Sequence, residues 1–350
     1  MATRLREYAA VRGDVIDVDL EAPPAERWRT ALQGYGDEIA DLVSDVRQLI
    51  PDLVALVGAP WDSLVSGLLQ HSSKIGIGVG LVGKLYGQEY VDEIKGVAQA
   101  AEQPFGDLVL ANLVYDISQI GGKLFGACSS FSCNVEGTPV LARNLDWALP
   151  ESVGRHTVPI RFRRGRRSYF GVQVLGTVGV LSVMAKGKWA ATINQAPASK
   201  LGFLPVGVPV MIRLRQCADL MLPFGKMAAE VQRLQTISPF FIHLVGAGPT
   251  QHVQISGLGK TFATRKREAE FLIQTNHHAD SELERYNDPE DDDGDSPDRY
   301  KALERRLKTL PETLDEALLK LARKPVTHAG TQQAMVLRPS SGEWRLRVRA

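Results

Sequence analysis

The stretch CSSFSCNVEGTPVLARNLDW, residues 128–147, decides the fold. It contains two β-rich runs, Ser129–Val135 and Pro139–Leu145, and the Glu136-Gly137 pair between them is a turn signal. The pattern therefore predicts a β-hairpin whose first strand begins beside Cys128.

The hairpin brings three reactive residue types to one edge. Cys128 begins the first strand, while Arg143 and Asp146 end the second, so a thiol, a guanidinium and a carboxylate meet there. The thiolate is the reactive form of cysteine, and a neighbouring guanidinium stabilises it. The alternative is a buried strand cysteine beside a structural ion pair. Residue types alone favour that alternative, because free cysteine is among the most buried residue types.

The base that a cysteine nucleophile requires is not evident among the seven histidines. His243 and His328 are interpreted as core or edge histidines. A cut between Ala127 and Cys128 would supply a base without histidine, because the freed α-amine lies on the nucleophile's own residue. Its usual pKa of about 7.7–8.0 suits a general base near neutral pH.

The character of the sequence changes at Cys128. Residues 1–127 are predicted to be almost entirely helical, with apolar residues at three- and four-residue steps in Trp28–Leu49 and Tyr90–Ala101. Residues 128–350 alternate groups of short strands with pairs of helices. We expect an α+β protein in which helices cover two sheets, a four-layer αββα arrangement that forms one globular unit.

Composition excludes several classes of protein. The chain has 350 residues, with Lys+Arg 41 against Asp+Glu 40, so nothing indicates a nucleic-acid partner. Three cysteines without a CxxC pair indicate neither a disulfide framework nor a zinc site. The first 20 residues lack the apolar run of a secretion signal, and the longest weakly polar stretch, Ile75–Val82, is far shorter than a membrane-spanning helix. We expect a cytoplasmic protein.

Cys-Ser-Ser at 128–130 followed by Arg-Asn-Leu-Asp-Trp at 143–147 resembles the nucleophile hairpin of the acid ceramidase and N-acylethanolamine-hydrolysing acid amidase family. This family consists of N-terminal-nucleophile hydrolases related to choloylglycine hydrolases. Further blocks are similar and stand in the family's order: residues 90–117, 179–194, 237–248, 273–278 and 296–307.

The resemblance implies a role for each matching residue around the nucleophile. Cys128 would be the nucleophile, both for self-cleavage after Ala127 and for attack on an amide carbonyl. Arg143 would contact the substrate or the thiolate. Asp146 would hold the amine and the thiol in place.

The resemblance also implies an oxyanion hole. The side chain of Asn276 and a backbone N–H near Asn194 and Gln195 would form it, and Arg299 would support the site from a later helix. The chain departs from the family at Gln195, where the ceramidase branch typically has glutamate. If that glutamate assists self-cleavage or orients the amine, a chain with glutamine at this position would cleave itself slowly or have a different pH profile.

The family resemblance further implies the partners. Residues 1–127 would be a helical α-part and residues 128–350 a catalytic β-part, and the two would stay associated after cleavage. The substrate would be a small N-acyl amide with a long apolar acyl chain, and no metal or organic cofactor is implied. The apolar, glycine-spaced stretch 61–87 is the candidate for contact with a membrane surface.

Two other functions stay open. An acyltransferase of the same fold would pass the acyl group to an amine instead of water. A non-catalytic lipid-binding protein would remain uncleaved at Cys128, and Gln195 keeps this alternative open.

Overall fold

The computed structural model describes residues 5–8, 15–57, 86–120, 127–147, 150–196, 207–233, 235–258, 261–279, 283–287 and 295–349. The proposed membrane-contact stretch 61–87 therefore lies almost entirely outside the described residues, as does the amphipathic stretch predicted at 62–70.

The predicted hairpin lies in a six-stranded antiparallel sheet, the hairpin sheet. In spatial order its strands are β1 (Leu5–Glu7), β14 (Glu343–Arg349), β13 (Thr331–Arg338), β4 (Thr138–Asp146), β3 (Ser129–Val135) and β12 (Phe271–Gln274).

The second sheet has eight strands and packs face to face against the hairpin sheet. In spatial order they are β11 (Thr261–Lys266), β10 (His252–Leu258), β9 (Phe240–Gly246), β8 (Trp189–Gln195), β7 (Ser182–Ala185), β6 (Arg167–Val174), β5 (Thr157–Arg164) and β2 (Ile16–Asp19). Strand β2 pairs in parallel with β5, whereas the other pairings among these eight strands, as the described residues show them, are antiparallel. Strands β3 and β4 lie over β8 and β9: Arg143 of β4 donates to Ile193 O of β8, and Ser130 of β3 contacts His243 of β9.

Helices cover the outer faces of both sheets. In chain order they are α1 (Gly36–Val57), α2 (Gln88–Ala100), α3 (Phe105–Ile120), α4 (Glu151–Arg155), α5 (Val210–Asp219), α6 (Phe224–Val231), α7 (Asp295–Leu307) and α8 (Leu314–Leu321). Helices α7 and α8 pack on the hairpin sheet, whereas α1, α2, α3, α5 and α6 pack on the second sheet. The predicted α+β arrangement of two helix-covered sheets is confirmed.

The β3–β4 turn fixes which side chains face the interior. Glu136 and Gly137 have φ of 51° and 75°, the two positive values of a tight hairpin turn. This turn sets Ser129 opposite Asn144. Side chains alternate along a strand, so Phe131 faces α7 and α8, while Ser130 faces the second sheet.

The N-terminal residues differ from the expectation in two ways. Two short strands, β1 and β2, lie within the segment that was predicted to be almost entirely helical. The helix predicted from Trp28 onward begins only at Gly36, and Trp28 lies in a turn where it is nonetheless buried. In a strand of three or four residues, the alternation of apolar and polar side chains is too short to be recognised within a charged N-terminal segment. The predicted division at 127/128 is not tested by the fold and stays a prediction.

Among the described residues, no helix combines the length and apolar character needed to cross a membrane.

Candidate active site

The hairpin places Arg143 against the sulfur of Cys128. Arg143 Nη2 lies 3.4 Å from Cys128 Sγ and donates to Ile193 O at 2.8 Å. Both side chains are fully buried. Among the described residues, Nε and Nη1 of Arg143 have no hydrogen-bond partner. A buried guanidinium beside the sulfur stabilises a thiolate, and the N–H groups on Nε and Nη1 are available to donate to an acceptor atom of a ligand.

Arg299 holds the main chain on both sides of the 127–128 peptide bond. Its Nη1 donates to Ala127 O at 2.8 Å, to Cys128 O at 2.7 Å and to Ser129 Oγ at 2.9 Å. The residue lies on α7 and is fully buried. A positive charge directed at the carbonyl of Ala127 is positioned to stabilise an oxyanion that forms there.

Asn276 is fixed from three directions just beyond β12. Its Oδ1 accepts from Arg299 Nη2 at 3.0 Å, and its Nδ2 donates to Gln195 O at 2.9 Å. Its backbone N–H donates to Ser296 Oγ at 2.9 Å. The structure thus brings Asn276, Arg299 and Gln195 together, while the oxyanion role of Asn276 stays a prediction.

The side chains of Asn194 and Gln195 point in opposite directions at the end of β8. Asn194 Nδ2 donates to Ser130 Oγ at 3.3 Å and to Gln274 O at 3.0 Å, which ties β8 to the hairpin sheet. Gln195 Nε2 donates instead to Ser118 Oγ on α3, at 3.0 Å. The residue that departs from the family therefore contacts the helix upstream of Cys128.

Asp146 is buried at the end of β4, with Thr331 as its hydrogen-bond donor. Burial raises its pKa to about 7, although the charges of Arg299 and Arg143 and the Thr331 hydroxyl act in the opposite direction. Its backbone carbonyl accepts from the N–H of Ala127 at 2.8 Å. The predicted bond from Asp146 to the α-amine stays a prediction, since that amine does not exist while residues 127 and 128 are joined.

His328, interpreted from the sequence as a core or edge histidine, lies near Asp146. Its Nε2 lies 3.7 Å from Asp146 Oδ2. Burial, together with the charge of Arg299, lowers the pKa of His328 below its usual value. Because the pKa of Asp146 is raised and the pKa of His328 is lowered, a neutral imidazole lies beside a carboxyl group that can be protonated. No spacing motif links residues 182 positions apart, so the sequence offered no signal for this contact.

Helix α3 also contributes residues near the site that no sequence motif indicated. The ring of Tyr115 packs edge-on against Trp147, with ring centroids 5.2 Å apart. Burial and the charge of Cys128 raise the pKa of Tyr115 well above its usual value. Burial raises the pKa of the neighbouring Asp116 to about 7, although the Ser238 hydroxyl donates to it. The available signal was an ionisable residue inside the apolar helix LVLANLVYDISQI.

An apolar cavity lies beside Trp147, between the N-terminal helices and the second sheet. Its volume is about 20 Å³, room for roughly one water molecule. Its lining consists of Leu42, Val46, Ala111, Val114, Trp147, Val153, Val174, Thr177, Leu181 and Met211. Because Trp147 follows Asp146 directly and contacts Tyr115, the cavity adjoins the predicted catalytic residues.

No group of three or more histidine, cysteine or acidic side chains in the described ranges is arranged to hold a metal ion.

The sequence profile of one family matches part of the chain. That family is described as the beta subunit of N-acylethanolamine-hydrolyzing acid amidase, and the match covers residues 14–71. It lies upstream of Cys128, and its last 14 residues fall outside the described ranges.

Curated relatives match a larger part of the chain. The N-acylethanolamine-hydrolyzing acid amidase of Caenorhabditis elegans is 23% identical over 251 residues, 69% of this chain and 66% of that protein. A probable acid ceramidase of the same species is 28% identical over 194 residues, 51% of this chain and 44% of that protein. The acid ceramidase of Bos taurus is 25% identical over 206 residues, 54% of this chain and 47% of that protein.

The chain spans between about half and two thirds of the length of these curated relatives. The resemblance stated from the hairpin motif is confirmed, since the chain is homologous to proteins that carry both of the expected names.

Two solved structures are similar to this chain. A Caenorhabditis elegans N-acylethanolamine-hydrolyzing acid amidase ortholog has a TM-score of 0.49 and 19% identity, and the match covers 61% of this chain and 93% of that one. A mutant conjugated bile acid hydrolase from Clostridium perfringens has a TM-score of 0.42 and 10% identity, covering 63% of this chain and 89% of that one.

Proposed function

We propose that this relative of acid ceramidase and N-acylethanolamine-hydrolyzing acid amidase is itself a self-processing hydrolase of N-acyl lipids. Cys128 is the nucleophile in this proposal, and the amide bond of the substrate is cleaved through a thioester. The observation that carries the proposal is the arrangement of two buried arginines: Arg143 lies at the sulfur of Cys128, and Arg299 binds the carbonyls of residues 127 and 128.

Self-cleavage would begin with attack of Cys128 Sγ on the carbonyl carbon of Ala127. The C–N bond between residues 127 and 128 breaks, the thiol proton passes to the leaving nitrogen, and a thioester forms. Water then hydrolyses the thioester, which frees the thiol, the α-amine of Cys128 and a carboxylate on Ala127. Arg299 Nη1 already donates to the oxygen that becomes negative, so the stabilisation requires little rearrangement.

The same groups would act on an external amide. The freed α-amine takes the thiol proton and later donates a proton to the leaving amine. Asn276 and Arg299 stabilise the oxyanion, and a donor of this kind contributes about 2.7–4 kcal/mol to lowering the barrier. A protonated Asp146, in keeping with its raised pKa, donates a hydrogen bond instead of adding a second negative charge beside the thiolate.

The apolar lining of the cavity, and not its volume, supports a lipid acyl chain as the substrate's apolar part, since the acyl chain would have to part these side chains to enter. Its lining is aliphatic or aromatic apart from Thr177, and it adjoins the site through Trp147. The relatives' names specify N-acylethanolamine and ceramide amides, both of which join an acyl chain to an amine. An N-acyl amide with a long acyl chain fits both observations.

Association of the two parts after cleavage is part of this proposal. Glu93 and Tyr90 on α2 precede the cut, while Arg215 and Asp219 on α5 follow it. Arg215 Nη2 lies 3.2 Å from Glu93 Oε1, and the Tyr90 hydroxyl donates to Asp219 at 2.7 Å. Separation of the two parts would break both of these buried contacts, although Glu93 would keep its ion pair with Arg27, and Arg215 its ion pair with Asp219. A cytoplasmic location and membrane contact through residues 61–87 are also proposed.

Intact mass tests self-processing directly. Purified protein incubated at about pH 5 and about pH 8, on either side of the usual histidine pKa, is expected to yield fragments of 127 and 223 residues. The larger fragment is expected to begin Cys-Ser-Ser, and both are expected to elute together in native size-exclusion chromatography. A chain that remains whole at both pH values would contradict the proposal and favour a binding protein.

The cavity provides a test of substrate class. Ala111 is buried and lines the cavity, so Ala111→Phe adds a ring between the side chains that an acyl chain would have to part. With about 0.8 kcal/mol per buried methylene, the loss of two methylene contacts lowers kcat/KM for a long-chain amide about 10-fold. The kcat/KM for a two-carbon acyl amide is expected to change little.

Ala98→Phe is the matched control for the cavity variant. Ala98 is buried on α2 and does not line the cavity, so overpacking lowers stability by about 1–3 kcal/mol in both variants. Only Ala111→Phe is expected to change the ratio of long-chain to short-chain kcat/KM. An equal change in both variants would show that the acyl chain binds elsewhere.

A further inference from the structure

A continuous row of polar side chains lies between the two sheets, beyond the contacts of Cys128. We call this row the polar ladder; its members are Ser130, Ser132 and Asn134 of β3, His243 of β9 and His252 of β10. Apart from Asn134, which is partly exposed, all are buried. A buried polar row between two sheets has to be hydrogen-bonded throughout to be tolerated.

Each member of the ladder lies within hydrogen-bonding distance of the next. His243 Nδ1 lies 3.1 Å from Ser130 Oγ, and its Nε2 lies 2.9 Å from Ser132 Oγ. His252 Nδ1 lies 2.9 Å from the same Ser132 Oγ, and its Nε2 lies 3.0 Å from Asn134 Oδ1.

The hydrogen-bond directions follow from the outer end of the ladder. Asn134 Nδ2 donates to Pro249 O at 3.1 Å, so its Oδ1 faces His252 and accepts from His252 Nε2–H. His252 Nδ1 then accepts from the Ser132 hydroxyl, whose oxygen accepts from His243 Nε2–H. This assignment uses one proton on each imidazole, so both histidines are neutral.

Ser130 completes the inner end of the ladder. Its single proton points to His243 Nδ1 at 3.1 Å, which is closer than the alternative acceptor, Gln274 O, at 3.3 Å. Its oxygen accepts from Asn194 Nδ2 at 3.3 Å. The donors and acceptors therefore form one unbroken chain of hydrogen bonds, from Asn194 at the site through the ladder to Asn134 at its outer end.

The surroundings of the histidines oppose protonation. Burial lowers the pKa of His243 well below its usual value, and His252 and Arg265 act in the same direction. Burial and the charge of Arg267 lower the pKa of His252 to about 4. The cross-strand partners of His243 are Thr192 on β8 and Gln254 on β10, so no carboxylate faces it from the strands on either side.

The ladder acts on the site through Asn194. Asn194 Nδ2 also donates to Gln274 O at 3.0 Å and lies 3.4 Å from Thr275 O. Those two carbonyls immediately precede Asn276. The orientation of one amide therefore links Ser130 to the end of β12 that carries the proposed oxyanion donor.

We propose that His243 is a positioning residue for the reaction: through Ser130 and Asn194, the polar ladder fixes the strand end that carries Asn276, and protonation of the ladder at acidic pH releases it. This inference rests on the proposed function only in assigning Asn276 to the oxyanion.

The sign of the pH dependence follows from the neutral imidazoles. The unfolded chain takes up protons near the usual histidine pKa of about 6.5, whereas the folded chain resists protonation until the pH is lower. Stability is therefore fully present above about pH 6.5 and is lost as the pH falls toward about 4. The chain is expected to work at neutral rather than acidic pH.

The test compares His243→Gln with the wild type by steady-state kinetics on an N-acyl amide. Glutamine replaces one of the two ring contacts, so kcat at neutral pH is expected to fall about 10- to 100-fold with KM little changed. The α-amine is already protonated in the acidic range, and below about pH 4 the ladder also takes up a proton, so log kcat of the wild type is expected to fall there with a slope near two. In the variant the fall below about pH 4 is expected to be less steep, because position 243 no longer titrates while His252 still does.

His156→Gln is the matched control. His156 is also buried, but its Nε2 contacts Asp41 on α1 at 2.7 Å, far from the ladder in the fold. Its kcat and pH profile are expected to match the wild type. Wild-type kcat and slope in His243→Gln would overturn the proposal, as would an equal loss in both variants.

Nitrogen NMR of ¹⁵N-histidine-labelled wild type keeps the inference testable if the variant fails to fold, or if the chain hydrolyses no amide. His243 is expected to show the Nε2–H tautomer and no protonation between about pH 8 and about pH 6. Ordinary titration near pH 6.5, or the Nδ1–H tautomer, would overturn the ladder. Failure of the proposed function would instead appear as an uncleaved, inactive wild type with this tautomer intact.

Discussion

Cys128→Ala is expected to leave the chain whole and to lower hydrolysis of an N-acyl amide by about 10⁴- to 10⁶-fold. Alanine removes the sulfur that lies 3.4 Å from Arg143 Nη2, and with it the atom that would form both thioesters. It also removes the α-amine base indirectly, because an uncleaved chain has no free amine on residue 128. Intact mass and turnover of the same sample measure the two losses together.

The other two cysteines supply the controls for this prediction. Cys133 and Cys217 are also buried, and burial raises their pKa to about 12 and about 11, so both thiols are inert near neutral pH. Cys133→Ala and Cys217→Ala are expected to cleave as the wild type does. Normal turnover by Cys128→Ala would exclude the thioester mechanism, and cleavage without turnover in that variant would separate processing from catalysis.

Much of the catalytic half of the fold was predictable because its signals are local. The alternation in Ser129–Val135 and the Glu136-Gly137 turn predict the hairpin, and the hairpin register brings Arg143 to Cys128. Strand β3 has the bounds predicted for it. By contrast, β11 (Thr261–Lys266) was not predicted, because it is an edge strand whose side chains are mostly exposed and lack an apolar pattern.

Contacts between distant residues were not predictable from local pattern. The family resemblance assigned Arg299 to the site, yet its hydrogen bonds to the carbonyls of residues 127 and 128 depend on how α7 packs on the hairpin sheet. His243 was interpreted as a core or edge histidine, and it is fully buried as expected. Its serine partners lie more than 100 positions away in the chain, so the polar ladder has no counterpart in sequence spacing.

Arg299→Lys is expected to slow both self-cleavage and turnover by about 10²- to 10³-fold while the chain still folds. The guanidinium donates to Ala127 O, Cys128 O and Ser129 Oγ through Nη1 and to Asn276 Oδ1 through Nη2. Lysine keeps the charge, but a single ammonium on a shorter group does not span these acceptors, since the planar fork is lost. The rate of appearance of the two fragments, followed by mass, measures the effect on cleavage.

Arg306→Lys on the same helix is the control for loss of the fork. Arg306 donates to the carbonyls of Lys320 at 2.8 Å and Lys324 at 2.7 Å, so it also ties α7 to a neighbouring segment through a guanidinium. It does not contact the 127–128 peptide, and its variant is expected to cleave at the wild-type rate with a similar loss of thermal stability. If Arg299→Lys also cleaved at the wild-type rate, the contact with Ala127 O would be structural, and the oxyanion of self-cleavage would depend on Asn276 and backbone donors alone.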